Sequence, residues 1–167
     1  MAKTLLVLRH GKAEPAESVE KTDFDRELTA RGESNSLVMG DHISQKGLKP
    51  DLVISSQASR ALKTARNVAS RCGDPPLEEN ETMYGAYSPD LLEILMGLDD
   101  SVATVLLVGH NPALENLVDE LTDSYDTVLK TCSLAVLKTT KKKWADIMHG
   151  DFKTIEIQNP RDLDPTV

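Results

Sequence analysis

Apolar positions along this chain fall in short runs, separated by polar stretches or by helical spacing. Leu5-Leu6-Val7-Leu8 is apolar at every position, as in a strand buried on both faces, and it stops at Arg9-His10-Gly11. Residues 12–27 are polar, contain Pro15 and read as a loop. Thr29 is placed to cap a helix reaching about Lys46. Its expected core face includes Leu37, Val38 and Ile43, and Gly47 with Pro50 closes it. Leu52-Val53-Ile54 predicts a second strand ending at Ser55-Ser56. From Ser59 to Arg71, Leu62, Ala65, Val68 and Ala69 share one face of a second helix.

Residues 72–87 read as an irregular connection with a short strand near Leu77. Ser88-Pro89 has the form of a cap followed by a first helical residue, opening a short helix that carries Leu91, Leu92, Ile94 and Leu95. Thr104–Val108 is the third strong strand and ends at Gly109-His110. Asn111-Pro112 repeats the cap-and-proline pattern and predicts a helix through about Leu121. Ser133–Leu137 and Trp144–His149 predict strands flanking a solvated Lys141-Lys142-Lys143 turn, with further edge strand over 154–157. The last eight residues, Pro160 to Val167, read as a tail. Strands alternating with helices predict an α/β fold: a three-layer sandwich with a mostly parallel central sheet, helices on both faces and antiparallel strands at one edge. With no repeat or linker, 1–167 is expected to be one domain.

Composition narrows the function. Lys plus Arg number 19 against 27 Asp plus Glu, giving a formal net charge of −8, and aromatic residues are 4% of the chain. A nucleic-acid binder needs a basic excess or stacking platforms, so that class is set aside. The longest wholly apolar runs are Leu5–Leu8, Val105–Val108 and Leu134–Leu137, far short of a membrane span. The N-terminus lacks a secretory pattern. Cys72 and Cys132 show neither C-x-x-C nor zinc spacing and read as reduced, buried or half-buried thiols. The chain is expected to be cytoplasmic, with no membrane and no nucleic-acid partner.

The chemistry is positional. Three buried strands each end in a polar cluster: Arg9-His10-Gly11, Ser55-Ser56 leading to Arg60, and Gly109-His110-Asn111. Ligands of open α/β sheets bind outside the carboxyl ends of the strands, so adjacent strands would bring two histidines and two arginines to one spot. Arginine forks suit phosphate oxygens, and a helix beginning near Asn111 would add its positive end. Singly, each residue has an ordinary structural reading: a hydrogen-bonded histidine or a surface cation. Recurrence at successive strand ends favours a site. No third histidine or carboxylate stands at tight ligand spacing, and adjacent arginines oppose a cation, so no metal is expected. His42 and His149 read as surface or edge residues.

Leu6-Val-Leu-Arg-His-Gly11 resembles the R-H-G signature of the histidine phosphatase superfamily, which includes phosphoglycerate mutases and acid phosphatases. Ser55-Ser-Gln-Ala-Ser-Arg-Ala-Leu-Lys-Thr-Ala65 and Val108-Gly-His-Asn-Pro112 resemble its second and third elements, in order. Asp25-Arg-Glu-Leu-Thr-Ala-Arg-Gly32, Met83-Tyr-Gly-Ala86, the short length and Pro160-Arg-Asp-Leu163 are similar to the SixA-type phosphohistidine phosphatases. The resemblance covers nearly the whole chain.

It implies a phosphoglycerate mutase-like fold with His10 as the nucleophile carrying a covalent phosphoryl group. Arg9, Arg60 and His110 would bind phosphoryl oxygens and stabilise transition-state charge, with no cofactor. Larger members place a carboxylate before a Tyr-Gly as general acid. Glu81 has matching spacing, but Glu78, Glu79 and Glu81 also read as a solvated acidic loop. A phosphoramidate leaves readily once its nitrogen is protonated, so a weak acid apparatus is consistent with phosphohistidine.

The expected substrate is a phosphorylated protein, for instance a histidine-containing phosphotransfer domain, reached because so short a chain leaves little for a lid. A small phosphorylated metabolite remains the alternative. A non-catalytic phosphate-binding module would be expected to have lost one of the four residues. A mutase would need more basic residues around the pocket.

Overall fold

The structure, a computed structural model, describes residues 2–16 and 22–166. Its strands are β1 (Lys3–Arg9), β2 (Leu52–Ser56), β3 (Leu77–Asn80), β4 (Thr104–Gly109), β5 (Leu134–Thr139) and β6 (Lys153–Gln158). The helices are α1 (Ala30–Gln45), α2 (Ser59–Arg71), α3 (Ser88–Met96), α4 (Ala113–Thr122) and α5 (Pro160–Leu163). One sheet runs β3-β2-β4-β1-β5-β6. β3, β2, β4 and β1 are mutually parallel, and β5 and β6 add an antiparallel edge.

Alternation along β1 explains the layers. Leu5 and Val7 face a core shared with α3, α4 and Trp144, whereas Leu6 and Leu8 face α1 and α2. All four are fully buried, which is why the run is apolar throughout, and each contributes about 1.5–3 kcal/mol of burial. The result is the expected α/β sandwich with helices on both faces. Among the described residues, no helix is long and apolar enough to cross a membrane.

The structure departs from the sequence expectations in several places. The core face of α1 is Met39 and Ile43 with Asn35, Ser36 and Gly40, while Leu37 and Val38 are only half-buried. The cause is the close approach of α2: a Cβ on Gly40 would lie 2.9 Å from the Cβ of Arg71. Small and polar residues therefore occupy the contact, where Asn67 Nδ2 donates to Ser36 Oγ (2.8 Å) and Glu33 Oε2 (2.9 Å). α3 is capped by Tyr87, whose N–H donates to Asp90, so Ser88 and Pro89 are both helical. α4 begins at Ala113 rather than at the Asn111-Pro112 pair, and the Asn111 amide donates instead to Leu129 O.

Trp144–His149 forms no strand. Trp144–Asp146 is a 3-10 turn that buries the indole, whose N–H donates to Val102 O at 2.7 Å. The partner of β5 comes later, as β6. His42 is buried rather than superficial, 2.8 Å from Glu156 of β6. The expected tail folds as α5 over Pro160–Leu163, with Pro160 buried and Leu163 against the α1–α2 core. Of the loop expected over 12–27, residues 17–21 lie outside the described part. Its base is closed by an Ala13–Leu28 bridge, and Asp23–Asp25 is a 3-10 turn.

Candidate active site

The carboxyl ends of β1, β2 and β4 meet on one rim, because β4 pairs with β1 on one side and β2 on the other. His10 follows β1 and is 9% exposed. Its main chain is held from both neighbours: N–H to Gly109 O (3.1 Å) and C=O from Cys132 N–H (2.9 Å). Its ring is fixed too. Nδ1 lies 2.7 Å from Gly11 O, a carbonyl that can only accept, so Nδ1 carries the hydrogen and Nε2 holds the lone pair.

Gly11 is pinned in turn, its N–H donating to the buried Thr64 hydroxyl at 3.0 Å. Thr64 donates to Arg60 O at 2.7 Å, tying the peptide that follows His10 to the first turns of α2. The loop after β1 also needs glycine where it meets α1. A Cβ on Gly32 would lie 2.2 Å from Lys12 O, which no real side chain could tolerate.

Arg60 lies beneath the surface of the same rim, its Nε 3.4 Å from His10 Nε2. Its other nitrogens meet Asp23, with Nη1 donating to the main-chain O (2.7 Å) and Nη2 to Oδ2 (3.1 Å). His110 follows β4, its ring centroid 5.2 Å from that of His10. The Ser56 hydroxyl accepts from Ala58 N–H and lies 2.8 Å from His110 Nε2. The other ring nitrogen, Nδ1, is buried and has no partner among the described residues. Arg9 is half-buried, with Nη1 donating to Leu129 O at 3.0 Å and Nε without a partner among the described residues. The structure thus brings together all four residues singled out from the sequence.

Charge and burial keep both rings neutral. Burial above all, then the nearby His110, Arg60 and Arg9, pushes His10 down to about 3, with the Gly11 bond opposing. Burial and Arg60 push His110 down to about 4. Burial also lowers Arg9, opposed by Glu115. A neutral imidazole whose Nε2 lone pair meets only a long contact from Arg60 among the described residues can attack an electrophilic phosphorus, while the guanidinium groups stabilise the charge on its oxygens.

A cleft of about 380 Å³ is lined by Arg60 and His110 with Asp23, Tyr84, Tyr87 and Asn111 among others, while His10 and Arg9 are not among its lining residues. Asp23, Tyr84, Ser56 and Thr64 carried no role in the sequence reading. Asp23 accepts from the Tyr84 hydroxyl (2.6 Å) and from Arg26 Nη1 (2.9 Å). Those bonds, with Arg60, hold its carboxyl well below the usual carboxylate range, and the bond to Asp23 raises Tyr84 against the opposing charge of Arg60. Arg26 also donates from Nε to Glu14 O (2.7 Å), tying the two sides of the loop together. Asp23 precedes the quoted Asp25–Gly32 stretch by two residues, the one signal that could have found it. Glu81 is exposed and does not line the cleft.

Fold and site together define an α/β phosphatase. Residues 5–86 match the family model of the histidine phosphatase superfamily (branch 1). It is similar to a crystal structure assigned as the phosphohistidine phosphatase SixA of Agrobacterium tumefaciens, 26% identical with a TM-score of 0.82, covering 96% of this chain and 99% of that one. A protein histidine phosphatase SixA complexed with tungstate shares the fold, at 22% identity and a TM-score of 0.83, over 96% of this chain and 99% of that one. An uncharacterized Mycobacterium tuberculosis protein is 27% identical over 164 residues, 92% of this chain and the whole of that protein.

Proposed function

We propose that this phosphatase removes the phosphoryl group from phosphohistidine in a partner protein, by way of a phosphoryl group held on His10. The observation that carries the reading is the 2.7 Å bond from His10 Nδ1 to Gly11 O, which leaves Nε2 with its lone pair beside Arg60. Nε2 attacks phosphorus, the substrate's P–N bond breaks, and the departing imidazole nitrogen keeps the bonding electrons. Solvent supplies the proton that makes this leaving group neutral. Water then attacks the phosphorus on His10, the P–Nε2 bond breaks, and inorganic phosphate leaves with the proton from water. Arg9, Arg60 and His110 hold the phosphoryl oxygens through both steps.

Support for a protein-borne phosphohistidine comes from the likeness to SixA phosphatases and from the cleft, which Asp23 and the Tyr84–Tyr87 segment line among the described residues. The test compares turnover of a phosphohistidine protein with that of sugar and nucleotide phosphates. Preference for the phosphohistidine protein is expected, and strong ester hydrolysis with no phosphohistidine activity would overturn the substrate assignment. His10→Ala should abolish turnover and the acid-labile phosphate label on the enzyme. Wild-type turnover in that variant would overturn the mechanism.

A further inference from the structure

On the β5 side of His10, away from the catalytic cleft, two adjoining cavities of about 270 and 460 Å³ share Arg31 and Arg161 as a common wall. Lys12 and Lys130 complete the smaller one. This chain carries a net charge of −8, yet no Asp or Glu is among the residues lining either cavity. Lys12, Arg31, Lys130 and Arg161 are all exposed, and none forms an ion pair with the described residues. Elsewhere on the surface Arg26, Arg71 and Lys141 each have a carboxylate partner.

The cleft is also joined to the chemistry. Lys12 stands two residues after His10, and Lys130-Thr131 leads directly to Cys132, whose N–H holds the His10 carbonyl. Four cations spread along two joined hollows suit a row of carboxylates rather than a single compact ion.

We propose that this cleft docks carboxylates of the phosphoprotein substrate, an acidic stretch lying beside its phosphohistidine. The inference rests on the phosphohistidine reading above and names which partner surface that site accepts. An acidic enzyme repels an acidic partner at long range, and a local basic wall orients the approach to the one face where the phosphoryl group can reach His10.

The experiment measures kcat/KM on peptides carrying one phosphohistidine flanked by Asp and Glu, by neutral residues, or by Lys, with phosphoramidate as a small substrate that cannot span both clefts. Wild-type enzyme should prefer the acid-flanked peptide, and the preference should shrink with salt. Arg31→Glu with Arg161→Glu should lower kcat/KM on that peptide by about tenfold, reverse the flank preference and leave phosphoramidate turnover unchanged, since each exposed pair is worth a few-fold at most. Arg31→Gln with Arg161→Gln should abolish the preference without reversing it, and serves if charge reversal perturbs folding. An unchanged flank preference in the folded variants would overturn the docking cleft alone. A wild-type enzyme that hydrolyses phosphoramidate and esters but no phosphohistidine peptide would overturn the substrate reading, and the cleft with it.

Discussion

Thr64 is a positioning residue whose removal has a calculable cost. It is fully buried, accepts the Gly11 N–H at 3.0 Å and donates to Arg60 O at 2.7 Å. Thr64→Val keeps the shape and deletes the hydroxyl, leaving the Gly11 N–H buried without an acceptor. Such a group costs about 1–3 kcal/mol, and a chain of this size loses about 2–4 °C of Tm per kcal/mol, so Tm should fall by about 2–12 °C. The Gly11 peptide also presents the carbonyl that fixes the His10 tautomer. With that peptide free to turn, an orienting bond of about 0.5–1.5 kcal/mol is forfeited, and kcat should fall about two- to tenfold with KM little changed. Thermal unfolding followed by circular dichroism, and initial rates on p-nitrophenyl phosphate, measure both effects. Thr64→Ser retains the hydroxyl and should recover most of kcat. If Thr64→Val matches wild type in Tm and kcat, or Thr64→Ser is equally impaired, the chain of bonds from Thr64 does not position His10.

Stability should fall as pH drops from about 6.5 toward 4. The folded His10 and His110 titrate near 3 and 4, below the unfolded value, so across this window the unfolded chain binds more protons. The slope reaches about 1.4 kcal/mol per pH unit for each ring, and urea titrations of His10→Asn with His110→Asn should be markedly flatter. Asp23→Asn should tighten inorganic phosphate binding about two- to fivefold by calorimetry, because the exposed Asp23 carboxylate competes for Arg60. Weaker binding would show that Asp23 helps to hold the anion. Cys72 and Cys132 are buried, and burial pushes their thiols up to about 11 and 12. Iodoacetamide at pH 8 should therefore leave mass and activity unchanged unless denaturant is present.

What the sequence made legible was whatever depends on contiguous residues. The apolar runs of β1, β2 and β4 are buried on both faces, so their pattern needed no partner to interpret, and each ends in the residues it delivers to the rim. Features that depend on distant partners were hidden. Trp144 left its expected strand because its indole finds Val102 O, and His42 became a core residue only through Glu156, each partner far away along the chain. Leu37 and Val38 outweighed Ser36 and Gly40 in apolar pattern, yet close helix packing selects small side chains. Asp23 sits in a polar stretch without periodicity, and its importance comes from Arg60, Arg26 and Tyr84 rather than from its neighbours in sequence.

The His10 imidazole and the side chains that line the two clefts belong to different mechanical parts. His10 hangs from β1, which has a strand on each side and lies within the most deeply paired part of the sheet. Asp23, Tyr84 and Lys130 belong to turns and connections on the periphery. Peripheral segments can be lengthened, recharged or replaced without opening the strand ladder that holds His10. A lineage of such enzymes can therefore change what it acts on while its chemistry stays fixed, and a designer could retarget this one by grafting segments at those turns alone.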